Sequence, residues 1–237
     1  MYTPDDLESL LVLPAKQAVS AIRDAEARFL YRLVREQQLC RTLEVGFAYA
    51  KSGAYIMAAS GSPHVAIDPF QSAFDDVGLQ NIERLGLSSQ LEFHRDYSHS
   101  VLPELLRAGR TFDLAFIDGG HRFDEIFVDV YYADLLLAQG GYLLLHDTWL
   151  RSTRLVESYL KRNRRDYEAL RTRQRNLSLF RKSGRDGRSW RHFKEFYTLE
   201  SLLEHWVVGL LLDHRARSSH AAQSRSTGSG DDSVPPC

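Results

Sequence analysis

Carboxylates end or follow each of five short apolar runs in the first 150 residues. These carboxylates belong to Glu44, Asp68, Asp96, Asp118 and Asp147. If the runs are parallel strands of one sheet, their carboxyl ends meet at one edge, and sheets of this kind bind ligands there. The sequence therefore predicts a ligand site rich in carboxylates at that edge.

The first of these turns has the pattern E-x-G-x-x-x-A-x-S-G from Glu44 onward. Gly46 permits a sharp turn, and the helix predicted from about Ser52 points free N–H groups into the same crevice. A dinucleotide site needs two further glycines here, and the carboxylate of Glu44 repels pyrophosphate. Asp68, 22 residues after Gly46, has the spacing of a carboxylate that binds ribose hydroxyls. A ligand with a ribose, a cationic end and no phosphate fits this set, and S-adenosylmethionine is such a ligand.

The apolar runs alternate with helical stretches. The runs are Thr42–Gly46, His64–Asp68, Leu91–Arg95, Phe112–Asp118 and Gly141–Asp147. The predicted helices cover about residues 52–60, 74–86, 98–108, 122–138 and 150–165. This alternation predicts an α/β fold, a doubly wound Rossmann-like sheet with helices on both faces. Two further strands, Asp166–Arg171 and Asn176–Arg181, would bring the sheet to seven.

The flanking regions have different patterns. Residues 14–38 predict one long helix, with a proline in its first turn and apolar residues at helical spacing. Thr198 would cap a helix over residues 198–213, and the Ser-, Gly- and Pro-rich residues 214–237 predict disorder. The expected organisation is an N-terminal helical cap (1–39), a ligand-binding domain (40–182), a basic and aromatic segment with the C-terminal helix (183–213), and a disordered tail (214–237).

The composition is that of an ordinary globular protein, with 43% hydrophobic and 26% charged residues. No apolar stretch approaches the length of a membrane span, and the acidic start is unlike a secretory signal, so we expect a cytoplasmic location. Cys40 and Cys237 form no framework of disulfides. Residues 1–150 contain 12 Lys and Arg against 21 Asp and Glu, whereas residues 151–195 contain 15 against 5. The basic block indicates an anionic partner or a solvated surface.

Three motifs resemble those of class I S-adenosylmethionine-dependent methyltransferases. In chain order they are LEVGFAYAKSG, VAIDPF and FDLAFIDGGHRFDEIFVDVYYADLLLAQGGYLLLHDTW. Within that class, the IDG-H loop and the GG-Y-hD strand are similar to those of the catechol and macrolide-sugar O-methyltransferases. The resemblance covers about residues 40–150 and implies a seven-stranded methyltransferase fold. It also implies methyl transfer to a hydroxyl of a small molecule or a sugar.

The resemblance implies a role for each residue that matches a motif. Glu44 and Gly46 would lie under the methionine end of S-adenosylmethionine, and Asp68 would hold its ribose. Phe70 and Tyr97 would border or stack on the adenine. The complete predicted cofactor-binding set is Glu44, Gly46, Ala48, Ser52, Asp68, Pro69, Phe70, Asp96, Tyr97, Ser98 and Asp118.

The resemblance also implies that Asp118 and Asp147 face each other across adjacent strand ends. Two carboxylates there can hold Mg²⁺, and His146, where metal-dependent relatives have a second acidic or amide ligand, suits Zn, Fe or Mn better. His146 is alternatively buried elsewhere, because neighbouring strand residues point to opposite sides. His121 is either a general base or a loop residue that positions Asp118. The predicted catalytic residues are His121, Asp118 and Asp147, and the predicted metal ligands are Asp118, His146 and Asp147.

Several features allow other functions. The basic and aromatic residues of 181–196 could grip a nucleic acid, form a lid over the acceptor or pack as an ordinary segment. The rival functions are a nucleic-acid methyltransferase that uses residues 151–195 and a non-catalytic scaffold subunit. No base-methylating motif or RNA-binding module supports the first. The predicted helices at 14–38 and 198–213 could serve a homodimer, and the acids at 124, 125, 129 and 134 are interpreted as a solvated helix face.

Overall fold

The computed structural model of the protein describes residues 2–14, 21–203 and 206–207. The strands are β1 (Thr42–Val45), β2 (His64–Ile67), β3 (Leu91–His94), β4 (Phe112–Ile117), β5 (Leu137–Leu145), β6 (Tyr167–Leu170) and β7 (Ser178–Lys182). The helices are α1 (Pro4–Leu10), α2 (Asp24–Glu36), α3 (Lys51–Ser60), α4 (Val77–Arg84), α5 (Ser98–Arg107), α6 (Phe123–Leu136) and α7 (Arg151–Asn163). Each of the predicted strands from 42 to 181 has its counterpart in this set.

The seven strands form one sheet in the order β3-β2-β1-β4-β5-β7-β6, which confirms the predicted doubly wound fold. Strands β1 to β5 are parallel, and β7 pairs antiparallel with both β5 and β6. Val45 pairs with both Ile67 and Ile117, and Ile117 pairs with Leu145. The loops that follow β1, β2, β4 and β5 therefore leave the sheet at one edge.

Apolar side chains cover both faces of the sheet and form two buried clusters. One contains Phe47, Ile56, Ala66, Leu114 and Leu144, and the other contains Leu43, Val65, Ala115, Val130 and Leu143. The central strand β4 is apolar at five of its six positions because helices cover the sheet on both sides. This two-sided core fixes the sheet edge on which the site is built.

The N-terminal region differs from the predicted single helix over 14–38. Within the predicted range, residues 21–23 are not helical and α2 begins only at Asp24, while residues 15–20 lie outside the described residues. A separate helix, α1, precedes the predicted range. Thr3 begins α1 through a reciprocal capping box with Asp6, and the carboxylate of Glu26 accepts from the N–H of Arg23 at the start of α2. These local hydrogen bonds set helix starts that the apolar spacing alone did not reveal.

Two later parts of the chain also depart from the prediction. Strand β5 begins at Leu137, four residues before the predicted run Gly141–Asp147, and includes Gly140. Phe196 packs edge-on against Tyr159 of α7, whereas Trp190 is 88% exposed. The segment 181–196 is therefore only partly packed.

The chain divides into two compact units, residues 1–196 and residues 197–237, and all seven strands belong to the first. In the second unit, residues 199–203 and 206–207 are helical, and the hydroxyl of Thr198 accepts from the N–H of Ser201 as expected of a cap. The rest of the predicted helix over 198–213 and the tail 214–237 lie outside the described residues. No helix in the described part of the chain is long and apolar enough to cross a membrane.

Two glycines with nearly equal φ angles allow a matched test of the first turn. Gly46 has φ +89° and Gly140 has φ +86°, but a Cβ on Gly46 would fall on the backbone carbonyl of Asp118, whereas a Cβ on Gly140 meets open space. We expect Gly46→Ala to lower the free energy of unfolding by about 3 kcal/mol or more, through backbone strain and overpacking. Gly140→Ala should cost about 1 kcal/mol through strain alone. Urea denaturation of both variants would measure the difference, and equal losses would contradict the close approach.

Candidate active site

A cleft of about 920 Å³ opens at the carboxyl edge of the sheet. The loops after β1, β2, β3, β4 and β5 line it, together with the start of α2. The predicted site residues in its wall are Gly46, Ala48, Ser52, Asp68, Pro69, Phe70, Tyr97, Ser98, Asp118, His121, His146 and Asp147. The cleft thus brings together both the residues predicted for the cofactor and those predicted for catalysis.

The carboxylate of Asp68 accepts hydrogen bonds from the turn after β1. Its Oδ2 accepts from the N–H groups of Phe47 at 3.2 Å and Ala48 at 2.8 Å, and its Oδ1 accepts from the N–H of Phe70 at 2.8 Å. Ala48 and Ala50 have φ of 43° and 61°, in the left-handed region that favours glycine. The hydrogen bonds to Asp68 therefore maintain a backbone shape that the alanines disfavour.

Glu44 lies behind this turn and is absent from the wall of the cleft. It is fully buried, accepts from the hydroxyl of Ser52 and lies 2.9 Å from Nε2 of His64, whose Nδ1 is 2.8 Å from the hydroxyl of Thr42. Burial raises the pKa of Glu44. The carboxylate thus supports Ser52 from within the core, because the first strand points it away from the crevice rather than under a ligand.

Two aromatic side chains, Phe70 and Tyr97, lie in another part of the cleft wall. The rings of Phe70 and Tyr97 are perpendicular with centroids 5.8 Å apart, and each side chain is about half exposed. Ser98 begins α5 beside them. Asp96, predicted to flank the same ligand, accepts from the N–H of Tyr97 and is not part of the cleft wall. Its side chain is exposed to solvent.

A buried histidine lies at the centre of the catalytic end. Nδ1 of His146 is 2.8 Å from Asp118 and 3.3 Å from Asp147, and its Nε2 is 3.2 Å from Glu26. Burial by itself would lower its pKa, but hydrogen bonds to Asp118, Asp147 and Glu26 raise the pKa of His146 to about 12. His146 is therefore an imidazolium at neutral pH, and both ring nitrogens are engaged with carboxylates.

His121, on the loop after β4, adds a second histidine to this end of the cleft. Its Nε2 lies 3.0 Å from Oδ2 of Asp147, and this hydrogen bond raises the pKa of His121. One ligand atom each from Asp118, His121 and Asp147 lies within 4.8 Å of the other two. His121, rather than the predicted His146, completes this group of potential metal ligands, because the nitrogens of His146 already face carboxylates.

Three residues at this end were not predicted from the sequence. Glu26 reaches His146 from α2, the side-chain amide nitrogen of Asn176 lies 3.2 Å from Asp147, and the indole N–H of Trp149 donates to Asp147 at 2.9 Å. Trp149 follows β5 and Asn176 precedes β7, both at the carboxyl edge of the sheet. This position in the sequence could have identified them. Glu26 carries no such signal, because only the packing of α2 brings it there.

Comparison with known families agrees with the motifs. Residues 43–148 match the family model of a methyltransferase domain. Together with the strand order, this match confirms the class predicted from the motifs, a methyltransferase with the class I fold. No curated protein matches the chain.

Solved structures share this fold. The O-methyltransferase TomG from Streptomyces achromogenes, involved in tomaymycin synthesis and solved with S-adenosylmethionine, is 21% identical, with 75% of this chain and 94% of that chain covered and a TM-score of 0.63. An O-methyltransferase from Bacillus cereus in complex with S-adenosylhomocysteine is 18% identical, with coverage of 75% and 89% and a TM-score of 0.60. The S-adenosylhomocysteine-bound methyltransferase PaMTH1 from Podospora anserina is 13% identical, with coverage of 74% and 85% and a TM-score of 0.60. At these identities the likeness shows a shared fold.

The imidazolium of His146 predicts a distinct dependence of stability on pH. Its pKa is raised from 6.5 to about 12, so its contribution to stability is complete below pH 6.5 and is lost as pH rises toward 12. We expect the free energy of unfolding to fall between pH 7 and pH 10 by up to about 1.4 kcal/mol per pH unit. Urea denaturation in EDTA would measure this slope.

Two variants make the test specific to His146. His146→Gln should flatten the slope, whereas His94→Gln, a histidine of the same sheet outside the cleft wall, should leave it as in the wild type. Parallel curves for wild type and His146→Gln would contradict a buried imidazolium.

Proposed function

We propose that this protein transfers the methyl group of S-adenosylmethionine to a hydroxyl oxygen of a small molecule. The observation that carries the proposal is the joining, in one cleft, of the Asp68-supported turn with the group Asp118, His121 and Asp147. The methyltransferase match over residues 43–148 and the structures solved with the methyl donor or its product support it. S-adenosylmethionine supplies an electrophilic methyl group on a sulfonium.

The donor end of the cleft fits this cofactor in its chemistry. Oδ1 of Asp68 accepts one backbone hydrogen bond, from Phe70, and a carboxylate oxygen can accept a second from a ribose hydroxyl. Phe70 and Tyr97 offer half-exposed rings for the adenine. Where the donor end meets the acceptor end, the carboxylates of Glu26, Asp118 and Asp147 outnumber the cation of His146, so that part of the cleft favours the sulfonium of the ligand.

At the acceptor end, His121 is the residue we assign as proton acceptor. Asp147 orients its imidazole through the 3.0 Å contact with Nε2, which leaves Nδ1 to receive the proton of a substrate hydroxyl. His146 and Trp149 hold Asp147 in turn. Much of the rate enhancement would come from positioning the hydroxyl in line with the methyl group.

The same group could instead hold a divalent metal ion. Asp118, His121 and Asp147 offer two carboxylates and one imidazole, a set that suits Mn²⁺, Fe²⁺ or Zn²⁺ better than Mg²⁺. A metal there would bind the acceptor hydroxyl and make it more acidic. In that case His121 is a ligand and a different group accepts the proton.

Titration with S-adenosylhomocysteine in EDTA tests the proposal first. We expect saturable binding at one site. Asp68→Asn should weaken it about tenfold or more through loss of a charge-assisted hydrogen bond, whereas His121→Gln should leave the Kd within about threefold, since the imidazole belongs to the acceptor end. Absence of binding to the wild type would overturn the methyltransferase proposal, and equal losses in both variants would overturn this division of roles.

Titration with Mn²⁺, followed by electron paramagnetic resonance, tests the metal alternative. If the metal binds, Asp118→Asn, His121→Gln and Asp147→Asn should each weaken it at least tenfold by removing one ligand. His146→Gln should bind Mn²⁺ at least as tightly as the wild type, because it removes a neighbouring positive charge. Loss of binding in His146→Gln but not in His121→Gln would instead restore His146 as the ligand. No binding by the wild type would leave His121 as the base.

A further inference from the structure

Asp129, on α6, is a carboxylate in the wall of the cleft that no step above uses. The sequence places it on a solvated helix face, but its exposure is 2%. It lines the cleft beside Ser98 and Gly119, and its side chain hydrogen-bonds to Ser98. Helix α6 packs against α5 and so turns this acid inward, between the loops that follow β3 and β4.

The surroundings of Asp129 compensate its charge only in part. Burial raises its pKa to about 6, Glu125 acts in the same direction, and only Ser98 and His99 oppose them. A carboxylate buried in this way destabilises the protein unless a polar group pairs with it. Ser98 engages one part of the carboxylate, and because Asp129 lines the cleft, a ligand there can offer it a second hydrogen-bond donor.

Gly119 keeps the approach to Asp129 open. A Cβ on Gly119 would stand 3.7 Å from Oδ2 of Asp129, in contact with it. The aromatic pair Phe70 and Tyr97, which we assign to the adenine, lies next to Ser98 in the same wall. By contrast, Asp96 is outside the wall and engages the N–H of Tyr97.

From these contacts we infer that Asp129 accepts a hydrogen bond from the exocyclic amino group of the adenine of the methyl donor. Asp129, on α6, would then give the cleft its specificity for adenine, a role that the sequence had assigned in part to Asp96. This inference rests on the proposed function, since it requires that S-adenosylmethionine binds in the cleft. An amino group supplies the donor that the buried carboxylate lacks.

The test compares S-adenosylhomocysteine with an analogue whose adenine amino group is replaced by hydrogen, by calorimetric titration. We expect the wild type to bind the analogue about tenfold or more weakly than S-adenosylhomocysteine. Asp129→Ala should bind both ligands with similar affinity, because the group that distinguishes them is gone. A purely structural role for Asp129 would weaken both ligands equally and preserve their ratio.

Two further variants separate this role from folding and from Asp96. Asp129→Asn keeps the size of the side chain and one acceptor oxygen, and the hydroxyl of Ser98 can turn to accept from the new amide, so discrimination should be retained in large part. Asp96→Ala should leave the ratio of the two affinities as in the wild type.

The outcomes are distinct. Discrimination that is lost in Asp129→Ala and kept in Asp129→Asn and Asp96→Ala supports the inference. Discrimination that survives in Asp129→Ala, or that is lost in Asp96→Ala instead, overturns it, as does a wild type that binds both ligands equally. A wild type that binds neither ligand overturns the proposed function and this inference with it.

Discussion

One buried cation, the imidazolium of His146, links segments that are far apart in the chain. It joins Glu26 of α2, Asp118 after β4 and Asp147 after β5, and the amide of Asn176 lies beside it. Without it, three carboxylates would be brought together with no fixed positive charge, which is strongly unfavourable in a buried site. The cation offsets the charge of these carboxylates and joins α2 to the sheet edge through Glu26.

The turn after β1 depends in a comparable way on a buried negative charge, the carboxylate of Asp68. Asp68 accepts the backbone N–H groups of Phe47, Ala48 and Phe70 and so holds Ala48 in its left-handed conformation, while the N–H of Ala50 donates to the carbonyl of Phe47. Strain of this kind persists where the surrounding hydrogen bonds over-determine the backbone. Gly46, which lies against the backbone of Asp118, joins this turn to the loop after β4. The two groups of predicted site residues are therefore positioned by one edge of the sheet.

Much of the fold could be predicted because its signals are local. Alternation of short apolar runs with helical stretches identified all seven strands and their order of appearance, and the carboxylates at the strand ends identified the edge that carries the cleft. Asp68, Asp118 and Asp147 were found in this way, since parallel strands bring their ends together whatever the helices between them do. The separate helix α1 and the later start of α2 were not predicted, because they depend on hydrogen bonds at Thr3 and Arg23.

Periodicity and motifs that are contiguous in the chain are enough to predict the sheet, the edge that carries the cleft and the class of enzyme. Which polar groups face the cleft depends on tertiary packing. Glu44 lies in the core, Asp129 lies buried in the cleft wall, and Glu26 comes from helix α2, 120 residues before its partner His146. The direction of a side chain depends on the packing of distant elements, and pairs of opposite charge form only after that packing brings them together.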